Sequence, residues 1–438
     1  MDARLAGISS ALDDYRATIT AEADGGHISA KRQLAAVSAQ VRSWTGQTGS
    51  RADFFAQLVA TAGDQVPTSL AEQLSKHAAH ASTAFAEFGS FLEKELLPRG
   101  SDSDAVGRER YAPESRNFLG AEIDIDETYA WGWQELRRIE AEMTAVASQI
   151  KPGLSIDEAV ATLDADPERT IAGKENFRAW MQELADRTID ELAGTHFDIP
   201  DPIRRIECCL APTDDGGIYY TGPSEDWSRP GRMWWAVPAG IDRFSTWREV
   251  TTVYHEGVPG HHLQVAQTAY RKDLLNRWQR TMCWVSGHGE GWALYAERLM
   301  DELGYLQDPG DKLGMLDGQA LRAVRVIIDI GMHLELEIPA DNPFGFHPGE
   351  RWNAELGREF LRQHCRLEDA VIDFEINRYL GWPGQAPSYK VGERIWLAAR
   401  DEARARRGND FDLKQFHRQA LDLGSLGLDP LRDALARL

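Results

Sequence analysis

Apolar residues recur at every third or fourth position along most of this 438-residue chain, a period that is typical of amphipathic α-helices. The first 97 residues are predicted to form three or four such helices, including 31–43 and 69–97, and a polar loop follows at 98–104. Further helices are predicted over 127–150 and Lys174–Leu192. Between them, Ser155 and Glu158 have the spacing of a capping box at a helix start.

The segment 203–237 has a different pattern. Three short runs at 205–210, 217–221 and 231–237 are β-prone and are separated by Gly, Pro, Asp and Ser, which predicts strands and turns. An exposed strand edge can pair with the extended backbone of a bound peptide. The aromatic candidates for that edge are Tyr219, Tyr220, Trp234 and Trp235, although at least half of them are expected simply to fill the core face of a hairpin.

A polar stripe runs along the apolar segment 319–336. Four polar residues recur there at spacings of three and four, namely Arg322, Arg325, Asp329 and His333. A helix that is apolar on most sides should be buried, so these side chains need partners. One interpretation is an internal Arg–Asp pair on a solvated seam. The other directs His333 and one arginine into a cleft, as a transition-state donor or as a clamp for a substrate carboxylate.

The densest group of chemically versatile residues is the segment 254–262, YHEGVPGHH. Zinc peptidases use a helical His-Glu pair, with a second His four residues after the first, to hold a metal and a general base. Here the second His comes six or seven residues after His255, where an unbroken helix does not bring the two rings together. Pro259 and Gly260 permit a local break. A bulge that absorbs two residues selects His261, which we prefer, and one that absorbs three selects His262.

A metal site of this kind needs a third ligand from another helix. Residues 286–300 are predicted to be helical, with Glu290 in the first turn and Glu297 two turns later on the same face. Glycines on both sides of Glu290 would let a helix or an ion approach closely. The helix dipole alone also favours an acid in the first turn, but the upstream motif favours the interpretation of Glu290 as a metal ligand.

Together with the segment 379–392, YLGWPGQAPSYKVG, these motifs resemble a bacterial family catalogued as domain of unknown function 885. The similarity runs from about residue 104 to the C-terminus. It implies a zincin-like, mainly helical fold, similar in the order of its parts to angiotensin-converting enzyme and the carboxypeptidase Taq family, and metallopeptidase-like chemistry without a named substrate. Members usually have a longer helical N-terminal region, so the native N-terminus is a further open point.

Relatives in that order of parts often hold the oxyanion with a tyrosine hydroxyl from the C-terminal region. Tyr389, at the start of a helix predicted from about 387 to 407, is the candidate here, and Tyr379 is the second choice. A buried tyrosine with a purely structural hydrogen bond is the alternative for both.

Composition narrows the location and the partners. The net charge of −21 argues against nucleic acid and anionic membranes, and no apolar run approaches the roughly 20 residues that span a bilayer. The N-terminal segment MDARLAGISSALDDYR lacks the features of a signal peptide. The four cysteines form no CxxC pair, which is typical of buried thiols in a reducing compartment. These features predict a cytoplasmic protein.

The sequence therefore predicts a mainly α, zincin-like fold with a small β element beside the cleft. Residues 1–100 are predicted to form an N-terminal helical segment, and residues 101–438 a catalytic region of one domain or two lobes. The predicted function is zinc-dependent hydrolysis of short peptides. A metal-dependent amidase acting on a non-peptide substrate, or a non-catalytic helical binding protein, is the alternative, and the oligomeric state is not predicted.

Each candidate site residue has a predicted role. One Zn²⁺ per chain is held by His255, His261 and Glu290, Glu256 is the general base, Tyr389 and His333 stabilise the oxyanion, and Arg325, Tyr220 and Tyr379 bind substrate.

Overall fold

The structure is a computed structural model that describes residues 1–49, 52–62, 66–212, 217–238 and 240–438. It is mainly helical with small sheets, as predicted. Its helices are α1 Asp2–Ala6, α2 Ile8–Asp24, α3 Lys31–Trp44, α4 Phe54–Ala60, α5 Thr68–Phe91, α6 Gly107–Leu119, α7 Ile125–Ile150, α8 Ile156–Asp164, α9 Lys174–Leu192, α10 Thr246–Glu256, α11 His261–Tyr270, α12 Arg277–Thr281, α13 Ser286–Glu302, α14 Pro309–Leu334, α15 Ala354–His364, α16 Asp369–Gly381, α17 Ser388–Arg407, α18 Leu413–Leu421 and α19 Leu428–Leu435. Its strands are β1 Thr170–Ala172, β2 Ile206–Leu210, β3 Ile218–Thr221, β4 Gly231–Trp235 and β5 Arg243–Ser245.

The chain divides into two compact units. The N-terminal unit comprises Met1–Val106 together with Asp373–Gly381, and the main unit comprises Gly107–Ile372 together with Trp382–Leu438. The division at residue 100 that the sequence suggests stays a prediction.

Apolar faces of α1 to α5 build the core of the N-terminal unit. One cluster contains Ala23, Leu34, Phe88, Phe91, Leu92 and Leu96, and a second contains Leu5, Phe55, Leu74, Ala78 and Ala81. The predicted helix over 69–97 is α5 followed by a π-helical turn, Leu92–Leu96, in which the backbone is wound more widely than in an α-helix.

The main unit is built around α14, which is buried along its second half from Ala323 to His333. The helix α7 packs against it through Gly132, where a β-carbon would lie 3.0–3.1 Å from Ile327 and Val326. Small residues therefore set the distance between these helices. The predicted capping box at Ser155 is present, and α9 has the predicted bounds. The buried helix predicted from Gln319 begins ten residues earlier, at Pro309.

The three predicted β-runs form one sheet in the order β2-β4-β3, with β2 parallel and β3 antiparallel to β4. Within β4, Met233 and Trp235 face the core, so Trp235 is the one of the four aromatic candidates that is buried. Tyr219 and Trp234 are paired in register, and their rings stack outside the core at 6.1 Å. A second, two-stranded sheet of β1 and β5 was not predicted, because three-residue strands leave little pattern in a sequence.

Candidate metal centre

The histidine motif spans the junction of α10 and α11. Helix α10 ends at Glu256, and α11 begins at His261. Between them, the Gly260 N–H donates to the Tyr254 carbonyl at 3.0 Å, a bond that spans six residues instead of the four of an α-helix. Two residues are therefore absorbed, the number that brings His261 beside His255. Their ring centroids lie 4.7 Å apart.

Glycine is required at both ends of this junction because the backbone folds closely on itself. A β-carbon at Gly257 would lie 2.5 Å from the Val253 carbonyl oxygen, and one at Gly260 would lie 1.9 Å from the His255 carbonyl oxygen. The peptide bond between Val258 and Pro259 is cis. The sequence predicted a bulge within one helix, whereas the structure has two helices joined by a tight turn.

Glu290, in the first two turns of α13, meets both histidines. Its Oε2 lies 3.4 Å from His255 Nε2 and 3.3 Å from His261 Nε2. Around a tetrahedral zinc with bonds of 2.0–2.2 Å, neighbouring N and O ligand atoms are about 3.3–3.5 Å apart. The two measured distances have that size, so these three residues fit a zinc ion.

Glu256 is a second carboxylate within the same group. Ligand atoms of His255, Glu256 and His261 all lie within 4.8 Å of one another. One Glu290 oxygen contacts both Nε2 atoms, so Glu290 as well as Glu256 could supply a carboxylate to a metal held by the two histidines. The Glu256 Oε2 is buried and has no hydrogen-bond partner among the described residues, which suits a group that receives a proton from a bound molecule.

The outer nitrogen of His255 is held by a carboxylate. His255 Nδ1 lies 2.7 Å from Glu297 Oε1, and the Thr251 hydroxyl donates to the other Glu297 oxygen at 2.6 Å. Because Glu297 accepts a proton at Nδ1, the Nε2 of a neutral His255 carries the lone pair and faces Glu290. Such a carboxylate behind a ligand histidine orients the ring and raises its basicity.

Electrostatics in the cluster favour a cation. Burial lowers the pKa of His255, but the hydrogen bonds that its ring donates to Glu290 and Glu297 outweigh that effect and raise the pKa to about 9. Burial also raises the pKa of Glu290, yet the His261 charge and hydrogen bonds from both histidines bring it well below its ordinary value. For Glu256, burial is the largest effect and raises the pKa. The carboxylates around His255 thus stabilise positive charge on its ring.

His262, the alternative second ligand, is engaged elsewhere. Its Nε2 donates to the Ile203 carbonyl at 2.6 Å, and its Nδ1 accepts from the Tyr220 hydroxyl at 2.9 Å. Burial lowers the pKa of His262 to about 4, so the ring is neutral and both nitrogens are satisfied. Gly231 on β4 makes room for this pair, since a β-carbon there would lie 2.1 Å from the Tyr220 hydroxyl.

Trp292 ties the helix that carries Glu290 to the α10–α11 junction. Its Nε1 donates to the Pro259 carbonyl at 2.8 Å and also lies 3.3 Å from the Gly260 carbonyl. The side chain is fully buried. The indole ring of α13 therefore holds that helix in register with the backbone of the α10–α11 junction.

The glycines beside Glu290 do permit close approach. A β-carbon at Gly291 would lie 2.5 Å from the backbone of Gly392, so α13 and α17 touch at that point.

Tyr389 lies one turn before Gly392 on α17. Its ring faces two guanidinium groups of α14, with Arg325 Cζ at 4.8 Å and Arg322 Cζ at 5.9 Å from the ring centroid. A β-carbon at Gly318 would lie 3.2 Å from Arg322 Nη1 and 3.7 Å from Glu297 Oε2, so this arginine lies beside the cluster.

His333 occupies a different environment. It lies 11 residues beyond Arg322 on α14, about 16 Å along the helix axis at 1.5 Å per residue. Its side chain has no exposed surface, its ring is 5.8 Å from that of Tyr111, and its Nε2 is 4.0 Å from Asp329. A fully enclosed ring does not line a cleft that substrate enters, so this arrangement favours an internal, structural role.

Asp329 closes that second cluster. The Tyr111 hydroxyl donates to its Oδ2 at 2.7 Å, and the Gly384 N–H donates to the same oxygen at 2.9 Å. The polar stripe on α14 is thus divided between two environments, with Arg322 at the candidate metal centre and Asp329 in the helix core. Tyr379, in the N-terminal unit, donates its hydroxyl to Glu375, and Arg378 lies 4.9 Å over its ring.

The chain belongs to the bacterial family of proteins of unknown function called DUF885, whose pattern matches residues 1–435. The match includes the N-terminal helices, which the motifs alone did not cover. Among curated protein sequences, none is significantly similar to this chain.

Two solved structures are similar over nearly the whole chain. The "putative lipoprotein from Colwellia psychrerythraea" is 24% identical, with a TM-score of 0.84 over 100% of this chain and 75% of that chain. The "putative lipoprotein of unknown function from Shewanella oneidensis" is 19% identical, with a TM-score of 0.68 over 99% and 77%. At these identities the likeness establishes a shared fold and nothing about activity.

These neighbours overturn the predicted cytoplasmic location, because a lipoprotein is not a cytoplasmic class of protein. The prediction depended on the cysteines and on the N-terminal segment. All four cysteines are free thiols, but isolated thiols without nearby partners are a weak indicator of compartment. None of the helices in the described part of the chain combines the length and apolar composition of a membrane span.

Sequence reasoning missed the roles of three residues. Glu297 was noted only as sharing a face with Glu290, although its spacing of seven residues places it beneath the cluster. Thr251 is four residues before His255 on α10, so it lies on the same face. Trp292 gave no signal, because its partners are backbone carbonyls of the irregular junction.

Proposed function

We propose that this protein is a zinc-dependent hydrolase that cleaves short peptides. The observation that carries the proposal is the convergence of His255 Nε2 and His261 Nε2 on one oxygen of Glu290, at distances suited to a tetrahedral ion. One zinc per chain would be held by these three residues. The chemistry that zinc supplies in such a site is the acidification of a water molecule and the polarisation of a carbonyl group.

Glu256 is the proposed general base. It is adjacent to His255 at the end of α10, so its side chain leaves the helix about 100° away from that ligand. Its raised pKa and its oxygen without a partner suit a carboxylate that takes a proton from the attacking water and delivers it to the leaving amine.

Tyr389 is the proposed donor to the oxyanion. The contact between Gly291 and Gly392 brings its helix against the one that carries Glu290, and the two arginines hold its ring. A hydroxyl at the edge of the cluster stabilises charge that develops on the substrate oxygen. Arg325, whose guanidinium carbon lies 4.8 Å from the centroid of that ring, is proposed to bind substrate, and Tyr220 to act indirectly by fixing His262 and hence α11.

The test combines metal analysis with peptide digestion. Purified protein is stripped with a chelator, reloaded with Zn²⁺, and assayed for bound zinc and for cleavage of a mixed-sequence peptide library. We expect one zinc per chain and cleavage that disappears with the chelator and returns with zinc.

Glu256→Gln is the matched control, because it leaves the three ligands intact. It should bind zinc and cleave peptides at least about 100-fold more slowly than the unaltered protein. Failure of the unaltered protein to bind zinc would overturn the metal centre. Bound zinc with cleavage of small amides but of no peptide would replace the peptidase by an amidase.

A further inference from the structure

A short segment of the main unit exposes an unusual number of large apolar side chains. Between α11 and α13, more than half of the surface is exposed for Leu274, Trp278, Met282 and Trp284. Single exposed apolar residues are ordinary, but a group of them on one segment indicates a binding surface.

Trp284 differs from the other three because it contacts the candidate metal centre. Its ring centroid lies 5.7 Å from that of His261. The ring also lies over Gly289, where a β-carbon would be 2.2 Å from its Cη2 atom. Trp284 is therefore seated on the residue before Glu290 and against His261, while 51% of its surface remains exposed.

This placement puts an apolar surface where the substrate backbone must pass. A residue whose carbonyl reaches the three ligands has its Cα about 1.5 Å from the carbonyl carbon. The side chain of that residue, or of the next one, then lies within reach of the Trp284 ring. This ring contacts His261 and covers the turn of α13 that carries Glu290. Indole rings offer a large, rigid apolar face at low entropic cost.

We propose that the exposed face of Trp284 is the wall of a substrate subsite, and that it selects peptides with an apolar side chain beside the scissile bond. The proposal rests on the proposed peptidase function.

The test compares two peptides that are identical except for the residues flanking the cleaved bond, leucine in one and serine in the other. The measured quantity is the ratio of their kcat/KM values, which does not depend on the fraction of active enzyme. We expect the unaltered protein to prefer the leucine peptide. Trp284→Ala and Trp284→Gln should lower that preference about 10-fold or more, the usual range for a lost apolar contact in a pocket. Trp284→Phe should retain most of it.

Trp278→Ala is the matched control, since Trp278 lies on α12 in the same segment and is 62% exposed. It should leave the ratio unchanged. An unchanged ratio in a zinc-loaded Trp284→Ala or Trp284→Gln protein would overturn the subsite and leave the peptidase function standing. Loss of zinc from both variants would overturn it as well, because Trp284 would then support the ligands. If the unaltered, zinc-loaded protein cleaves neither peptide nor any library member, the proposed function itself fails.

Discussion

The buried polar clusters around Asp329 and around Glu290, both in the main unit, are organised in different ways. Around Asp329, donors face an acceptor, since a tyrosine hydroxyl and a backbone N–H both donate to one carboxylate oxygen. Around Glu290, two imidazole nitrogens and a carboxylate oxygen converge, and each of these groups is an acceptor in the deprotonated form that binds a metal.

The difference distinguishes a structural network from a binding site. A network that only stabilises the fold pairs each donor with an acceptor, because an unpaired buried group costs about 1–3 kcal/mol. A surplus of acceptors at one point is stable only with a cation or proton among them. The raised pKa of His255 corresponds to a proton at this point, and we propose that zinc takes its place.

The largest expected effect separates chemistry from binding at the first cluster. Glu256→Gln should lower kcat by at least the roughly 10²–10⁴-fold typical of a lost general base, while zinc content stays at one per chain. Rate and metal measurements on the same preparation check this. Glu249→Gln, a change in the same helix two turns earlier, should leave the rate near that of the unaltered protein. Near-normal turnover in Glu256→Gln would refute the assigned base.

The adjacent histidines should respond oppositely to the same change. His261→Ala should lose zinc, because it removes one of three ligands. His262→Ala should retain zinc but lose about 1–3 kcal/mol in the free energy of unfolding, since Ile203 and Tyr220 lose their buried partner. Metal analysis and denaturant titration of both variants measure the two effects. Full zinc in His261→Ala would transfer the ligand role to His262.

Two tyrosines offer a third contrast. Tyr389→Phe keeps the ring beside the arginines but removes the proposed donor. The activation free energy should therefore rise by about 2–4 kcal/mol, which lowers kcat with little change in KM. Tyr111→Phe removes a bond to Asp329 and should lower stability by about 1–3 kcal/mol without altering kcat. Steady-state kinetics and thermal unfolding on each variant are required. Equal kinetic effects of the two changes would contradict the proposed division of roles.

The smallest effect concerns the carboxylate behind His255. Glu297→Gln keeps its shape but no longer holds the Nδ1 proton as strongly, so zinc affinity should weaken about 10–100-fold. Competition with a zinc-binding dye would measure the change. Glu302→Gln, at the end of the same helix in an ion pair with Arg400, should leave the affinity unaltered. An unaffected affinity in Glu297→Gln would show that the bond does not tune the metal.

Much of the fold follows from local sequence patterns. Periodicity located α9, α17 and the three-stranded sheet, and the capping box fixed the start of α8. Pro259 with Gly260 indicated the break that brings His261 to His255, because proline cannot donate a helical hydrogen bond and glycine allows unusual backbone angles. The partners of Trp292 and the two β1–β5 strands depend on distant segments, and such contacts leave no period.

The polar stripe shows where the pattern is insufficient. Arg322 and His333 fall on one face of α14, so the sequence alone suggested that both residues share one environment. They lie three turns apart, and Arg322 meets Tyr389 of α17 whereas His333 meets Tyr111 of α6. Which neighbour each polar residue meets depends on helix packing, which no residue of the stripe encodes by itself.

The backbone bond from Gly260 to Tyr254 has a consequence for recognising related sites. A scan that counts residues between two histidines treats a gap of six as a mismatch, although the chain turns the two extra residues into a closed loop and restores the pairing. At such a point, the number of residues between two side chains no longer gives their separation along the helix axis. Candidate sites in other chains are better sought by that separation, and glycines at both ends of the loop indicate in the sequence where the loop lies.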